Sequence, residues 1–220
     1  MSAPTRPQPH AARFAQACAA LPLVAILRGL RPEEALDVGR TLYDAGFRLI
    51  EVPLNSPQPF DSIARLRQAL PADALVGAGT VCSTADVDRL AELQAELVVM
   101  PHADTAVIAR AAAAGLVCVP GVATVTEAFA ALAAGATALK LFPAELITPT
   151  VVRAMRAVLP RTLALFPVGG ITPERMADYL AAGVQGFGLG SALFTPGMGL
   201  PDLAQRAQAF TTAWQRRTPA

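Results

Sequence analysis

Apolar residues collect along this chain in short runs, at 23–27, 49–54, 75–78, 97–100, 117–119, 138–142, 163–168 and 186–189. Runs of this length, rich in Val, Leu and Ile, predict strands covered on both faces. Between them lie Ala-, Leu- and Arg-rich stretches whose apolar residues recur at helical spacing. Several of these stretches end in Ala-Gly, at Gly46, Gly115, Gly135 and Gly183. Glycine accepts the left-handed conformation at no steric cost, which suits a helix C-terminus before the chain turns into a strand. Helix starts are marked by Arg31-Pro32-Glu33-Glu34, Ser83-Thr84-Ala85-Asp86 and Thr172-Pro173-Glu174, which place a cap, a proline or acids in the first turn.

Eight strand-like runs alternating with helices, roughly twenty-odd residues apart, predict an α/β fold, a parallel (β/α)8 TIM barrel. An open doubly wound sheet is the alternative, but it rarely shows eight units this regular. No boundary divides the chain. Residues 1–9, Pro-rich and polar, are expected to be disordered, and residues 10–220 to form a single domain. An extra amphipathic helix over 10–20 is expected to pack against the body.

Composition narrows the function classes. Of 220 residues, 53% are hydrophobic and 16% charged, which favours a large core and apolar surface hidden in an oligomer. A net charge of +1 gives no reason to expect nucleic acid or a membrane surface as partner. The apolar stretch 111–125 is broken by Gly115, Pro120 and Gly121, so no membrane helix is expected. The apolar run after the amphipathic segment ends at Arg28 without a small-residue cleavage site, which argues against an export signal. Cys18, Cys82 and Cys118 form no CxxC pair, and His10 and His102 are the chain's two histidines. That set predicts free thiols in a reducing cytoplasm and no protein-built metal site. Cys118 reads as a small core residue.

One residue stands apart. The chain carries seventeen arginines and a single lysine, Lys140, inside the apolar run Ala138-Leu139-Lys140-Leu141-Phe142-Pro143. Arginine stays protonated, whereas a lysine in an apolar setting can lose its proton and hold a carbonyl compound as a Schiff base. A snorkelling lysine at a strand end is the plainer reading. In a barrel the chemistry sits at the C-terminal ends of the strands, and strand residues alternate between interior and helix layer. Lys140 facing inward sends Leu139 and Leu141 outward. Glu51 facing inward does the same for Ile50 and Val52.

Glu51 could then have its pKa raised by burial and serve as a proton shuttle, or pair with an arginine such as Arg28 and do no chemistry. Gly169-Gly170 and Gly190-Ser191, after the seventh and eighth runs, sit where this fold repeatedly binds phosphate on backbone N–H groups. Thr80, closing Gly77-Ala78-Gly79-Thr80, offers a hydroxyl. Arg28 can clamp an anion. His102 reads as a surface residue or a support, and Glu145 as an acid at a helix start.

Taken together, Ile26-Leu27-Arg28-Gly29, Ile50-Glu51-Val52-Pro53-Leu54-Asn55-Ser56-Pro57, Val76-Gly77-Ala78-Gly79-Thr80-Val81, Leu139-Lys140-Leu141-Phe142-Pro143-Ala144 and Val168-Gly169-Gly170-Ile171 resemble the 2-keto-3-deoxy-6-phosphosugar acid aldolases. The likeness spans nearly the whole domain, from Leu21 to Phe194, with the motifs in order. It implies a class I aldolase without a cofactor, in which Lys140 forms the Schiff base and Glu51 shuttles protons. It also implies that Arg28, Thr80, Gly169, Gly170, Gly190 and Ser191 bind a phosphorylated keto sugar acid, with pyruvate as one product and a homotrimer as the assembly. Members acting on the gluconate epimer typically carry an arginine where this chain has Asn55. The resemblance therefore points to the 2-dehydro-3-deoxy-6-phosphogalactonate subgroup, with the gluconate or 4-hydroxy-2-oxoglutarate activity as alternative. A barrel that binds or isomerises a sugar phosphate without covalent chemistry is the more distant one.

Overall fold

Every one of the apolar runs becomes a strand, and all the strands pair in parallel. In chain order they are β1 (Leu23–Ile26), β2 (Leu49–Pro53), β3 (Leu75–Gly79), β4 (Leu97–Val99), β5 (Val117–Val119), β6 (Gly121–Val122), β7 (Leu139–Leu141), β8 (Leu165–Pro167) and β9 (Phe187–Leu189). The computed structural model describes residues 10–216, so the expectation of disorder over 1–9 lies outside the described residues. The helices are α1 (Ala11–Ala20), α2 (Ala35–Asp44), α3 (Pro59–Ala69), α4 (Thr84–Glu92), α5 (Thr105–Ala113), α6 (Val125–Ala133), α7 (Pro149–Arg156), α8 (Met176–Ala181) and α9 (Leu200–Gln215). None of them is long and apolar enough to cross a membrane.

The result is an α/β fold with two parallel sheets, ordered β5-β4-β3-β2-β1-β9 and β6-β7-β8. A parallel bridge between Val168 and Gly188 carries the pairing from β8 to β9. Pro120 alone separates β5 from β6; it has no N–H to give to a ladder, so pairing breaks there. The two-residue β6 was not foreseen, because its Gly121 carries no hydrophobic signal.

Strand alternation divides the core. Val24, Leu49, Leu75, Leu97, Val117, Val119, Ala138 and Phe166, drawn from both sheets, pack into one interior cluster. Ala25, Ile50, Val52, Val76, Val98, Cys118, Leu139 and Leu141 pack outward under the helices. The glycines ending the helices behave as their sequence context predicts, with φ between 75° and 103° at Gly46, Gly115, Gly135 and Gly183. Ser83 caps α4 by accepting from the Asp86 N–H at 3.1 Å. The Arg31-Pro32-Glu33-Glu34 signal is displaced: it forms a turn, with Arg31 held by Glu34, and α2 begins only at Ala35.

The interior is closed at one edge by α1. Phe14 and Ala17 join the interior cluster, and the Phe14 ring lies 6.1 Å from that of Phe166. Arg13 anchors the helix to Glu96, which immediately precedes β4. Glu96 is buried and also meets Arg67 at 3.0 Å; a carboxylate taken from water needs such partners. This anchor was not anticipated, since its members are far apart in sequence. With α1 across the N-terminal edge, the C-terminal edge is left to the loops.

Candidate active site

Because all strands run in parallel, the residues singled out by sequence come to one edge. Leu49 of β2 belongs to the interior cluster and Ile50 to the outer one, so Glu51 faces inward with Leu49. The same alternation turns Lys140 inward between Leu139 and Leu141. Both ends of the pair are buried, Glu51 at 2% exposure and Lys140 at 6%.

Their electrostatics follow from that burial. Desolvation pushes the Glu51 carboxyl up to about 7, against the pull of the Lys140 and Arg28 charges, which favour ionisation. Desolvation also holds the Lys140 amine below its ordinary value; Glu51 opposes this and Arg28 adds to it. The two groups titrate as a coupled pair. Glu51 Oε2 accepts no hydrogen bond among the described residues, although it is fully buried. A buried acceptor left unpaired is costly, so a donor entering the mouth would find it ready. Gly79 makes room for this carboxyl, since a Cβ there would overlap it. Lys140 Nζ stands 4.5 Å from the centre of the Phe142 ring, which shields one side of the amine while leaving it reachable.

The expected alternative for Glu51, a salt bridge to Arg28, does not form. Arg28 Nη1 instead donates to Asn55 Oδ1 at 2.7 Å, and the Gly29 N–H donates to Ser56 Oγ at 2.9 Å. The turns after β1 and β2 are thereby fastened together, with Arg28 exposed at the rim. Asn55 therefore supports Arg28, and its amide NH2 is left for a ligand. Thr80 follows Gly79 at φ +55°, a left-handed conformation uncommon for a β-branched residue. It stands directly after the glycine that carries the Glu51 carboxyl.

The two glycine loops lie side by side because of the Val168–Gly188 bridge. Gly169 and Gly170 adopt φ +117° and +57°, which only glycine takes readily in succession. Among the described residues, no backbone carbonyl accepts from the N–H groups of Gly170, Gly190 or Ser191. Free N–H groups converging from two loops make an anion site. His102 is exposed in the turn after β4. Glu145 departs from expectation: α7 begins at Pro149 and its first turn holds no acid, and the Glu145 carboxyl lies against Gly169 and Gly170.

A cavity of about 1040 Å³ lies at the other edge beside α1 and is lined by Phe14, Cys18, Pro22, Ala164, Leu180 and Trp214. Among the described residues no carboxylate, lysine or histidine lines it.

Comparison with known proteins shows the family. The family model "KDPG and KHG aldolase" matches residues 14–206. A probable 2-dehydro-3-deoxy-6-phosphogalactonate aldolase of Rhizobium meliloti (strain 1021) is 52% identical over 88% of this chain and 91% of its own. The 2-dehydro-3-deoxy-6-phosphogalactonate aldolase of Escherichia coli (strain K12) is 48% identical over 89% of this chain and 95% of its own. A solved structure described as native KDPGal superposes with a TM-score of 0.87 at 48% identity, covering 89% of this chain and 95% of that one.

Proposed function

The chain belongs to the KDPG and KHG aldolase family and is an aldolase, and from that premise we propose that it cleaves 2-dehydro-3-deoxy-6-phosphogalactonate to pyruvate and D-glyceraldehyde 3-phosphate through a Schiff base on Lys140. The observation that carries this reading is the chain's single lysine, buried on an inward strand position and electrostatically coupled to the buried Glu51. The two phosphogalactonate relatives supply the substrate.

The neutral Lys140 amine attacks the C2 carbonyl, and the carbinolamine loses water to give an iminium. Removal of the C4 hydroxyl proton lets the C3–C4 bond break. Its electron pair moves into the iminium, leaving an enamine and releasing the aldehyde. Protonation at C3 and addition of water then return pyruvate and the free amine. Glu51 is assigned these proton transfers, acting through water, because a carboxyl titrating at about 7 can hold or release a proton at neutral pH. The iminium is the electron sink, so the chemistry needs no metal or cofactor. Arg28, held by Asn55, is assigned the substrate carboxylate, and Thr80 a hydroxyl contact. Gly169, Gly170, Gly190 and Ser191 are assigned the phosphate, supported by the unpaired N–H groups of the last three.

The two sheets are read as one closed (β/α)8 barrel; the Val168–Gly188 bridge, the shared interior cluster and the single-residue gap at Pro120 support it. A homotrimer in the cytoplasm completes the proposal. Exposed Phe129 (48%), Leu146 (75%) and Val158 (56%) support burial of apolar surface between subunits.

Borohydride reduction in the presence of pyruvate tests the covalent step: the expected result is an added mass at Lys140 and loss of essentially all turnover in Lys140→Arg. An unmodified Lys140 would sink the Schiff-base reading. The ratio of kcat/KM for the galactonate and gluconate epimers, measured in wild type and Asn55→Arg, tests the substrate. Preference for the galactonate epimer is expected, and a reversed wild-type ratio would reassign it.

A further inference from the structure

Glu145, on the loop after β7, carries a charge that the aldol chemistry above does not use. Its carboxyl spans the two glycines of the candidate phosphate loop: a Cβ on Gly169 would overlap Oε2, and one on Gly170 would stand 3.3 Å from Oε1. The placement is fixed from both sides. Tyr179 Oη donates to the Ala144 carbonyl at 2.7 Å, tying the β7 loop to α8. Arg175 Nη1 donates to the Gly170 carbonyl at 2.5 Å, pinning the glycine loop from the turn before α8. Arg175 gives one guanidinium N–H to that carbonyl and forms no ion pair with Glu145 among the described residues, although both reach the Gly170 turn. A carboxylate without an ion-pair partner thus rests on a loop whose free N–H groups favour anions.

The two features oppose each other, and the opposition has a use. An anion that binds the loop alone meets the Glu145 charge without the anchors at Lys140 and Arg28. A substrate anchored at Lys140 and Arg28 brings its phosphate to the loop at high local concentration and can displace the exposed carboxyl. We propose that Glu145 is a specificity-determining residue that repels free anions, inorganic phosphate foremost, from the phosphate loop and so reserves it for the phosphate end of an anchored keto acid. The proposal rests on assigning the phosphate to Gly169, Gly170, Gly190 and Ser191.

Glu145→Gln keeps the shape and removes the charge. Because the side chain is exposed and solvent screens it, inhibition of cleavage by inorganic phosphate should tighten only about threefold. The ratio of kcat/KM for the phosphorylated keto acid over unphosphorylated 4-hydroxy-2-oxoglutarate should stay nearly unchanged, because the anchored substrate already displaces the carboxyl, a separation of the two readouts that a merely structural role would not produce. Ser191→Asp, which adds a charge to the neighbouring loop, serves as the control and should weaken phosphate inhibition. If Ser191→Asp weakens it while Glu145→Gln leaves it unmoved, the loop binds phosphate and the role of Glu145 is overturned. If neither variant moves it, the phosphate assignment fails and the proposal falls with it.

Discussion

Glu51 shows most clearly how a single residue trades stability for chemistry. In the unfolded chain its carboxyl titrates at its ordinary 4.5, and in the fold at about 7. The folded state therefore binds this proton more tightly, so its contribution is fully present below 4.5 and is lost as pH rises through about 7. At 1.36 kcal/mol per unit, that loss is on the order of 3 kcal/mol. Glu51→Gln lacks the titration. Its Tm should exceed that of wild type at about pH 8 and converge with it at about pH 4, while kcat falls by a factor of about a hundred or more. A Tm difference independent of pH would remove burial of the Glu51 charge from the account. Wild-type activity should likewise fall as pH drops through about 7, where the carboxyl gains its proton. At this scale the sequence was informative. The chain's single lysine and Glu51, each between two outward-facing apolar residues, can be placed by alternation alone. The partner of Arg28 could not be placed, because Arg28 and Asn55 are 27 residues apart and meet only when β1 and β2 pair.

The turn after β3 shows strain used by an element. Thr80 holds φ +55°, which costs a β-branched residue about 1–2 kcal/mol. The left-handed turn at Thr80 ends β3 directly after Gly79, the glycine against which the Glu51 carboxyl lies. Thr80→Gly should raise stability by about 1 kcal/mol, since glycine adopts this conformation freely. It should also weaken substrate binding, read as a higher KM, by deleting the hydroxyl. A variant no more stable than wild type would show that the turn is not strained. Other elements divide by how local their causes are. The Ala-Gly helix ends and the Ser83 cap were legible because a residue's own backbone or its near neighbours decide them. The start of α2 slipped by a turn because Arg31 pairs with Glu34 and stabilises an alternative to the helix. Glu145 looked like a helix-start acid in sequence. It is instead held against the β8 loop, where glycines leave space that any larger residue would occupy.

For the whole molecule, the apolar excess in composition and the exposed Phe129, Leu146 and Val158 lead to the same expectation. Sedimentation at micromolar protein should give about three times the 22.8 kDa chain mass; a species of single-chain mass would refute the trimer. The sequence by itself determined the strand and helix order, the inward placement of Lys140 and Glu51, the glycine-ended helices and the family. Each of these is written in hydrophobic period, in local backbone preference, or in motifs short enough to survive without the fold. Only the tertiary structure decided that α1 closes the N-terminal edge through Arg13 and Glu96, that Asn55 holds Arg28, that Gly79 makes room for the Glu51 carboxyl and that Glu145 rests on the glycine loop. Those contacts join residues from different parallel strands and their loops. Parallel pairing brings together positions that the intervening helices keep far apart along the chain, so no local pattern can record them.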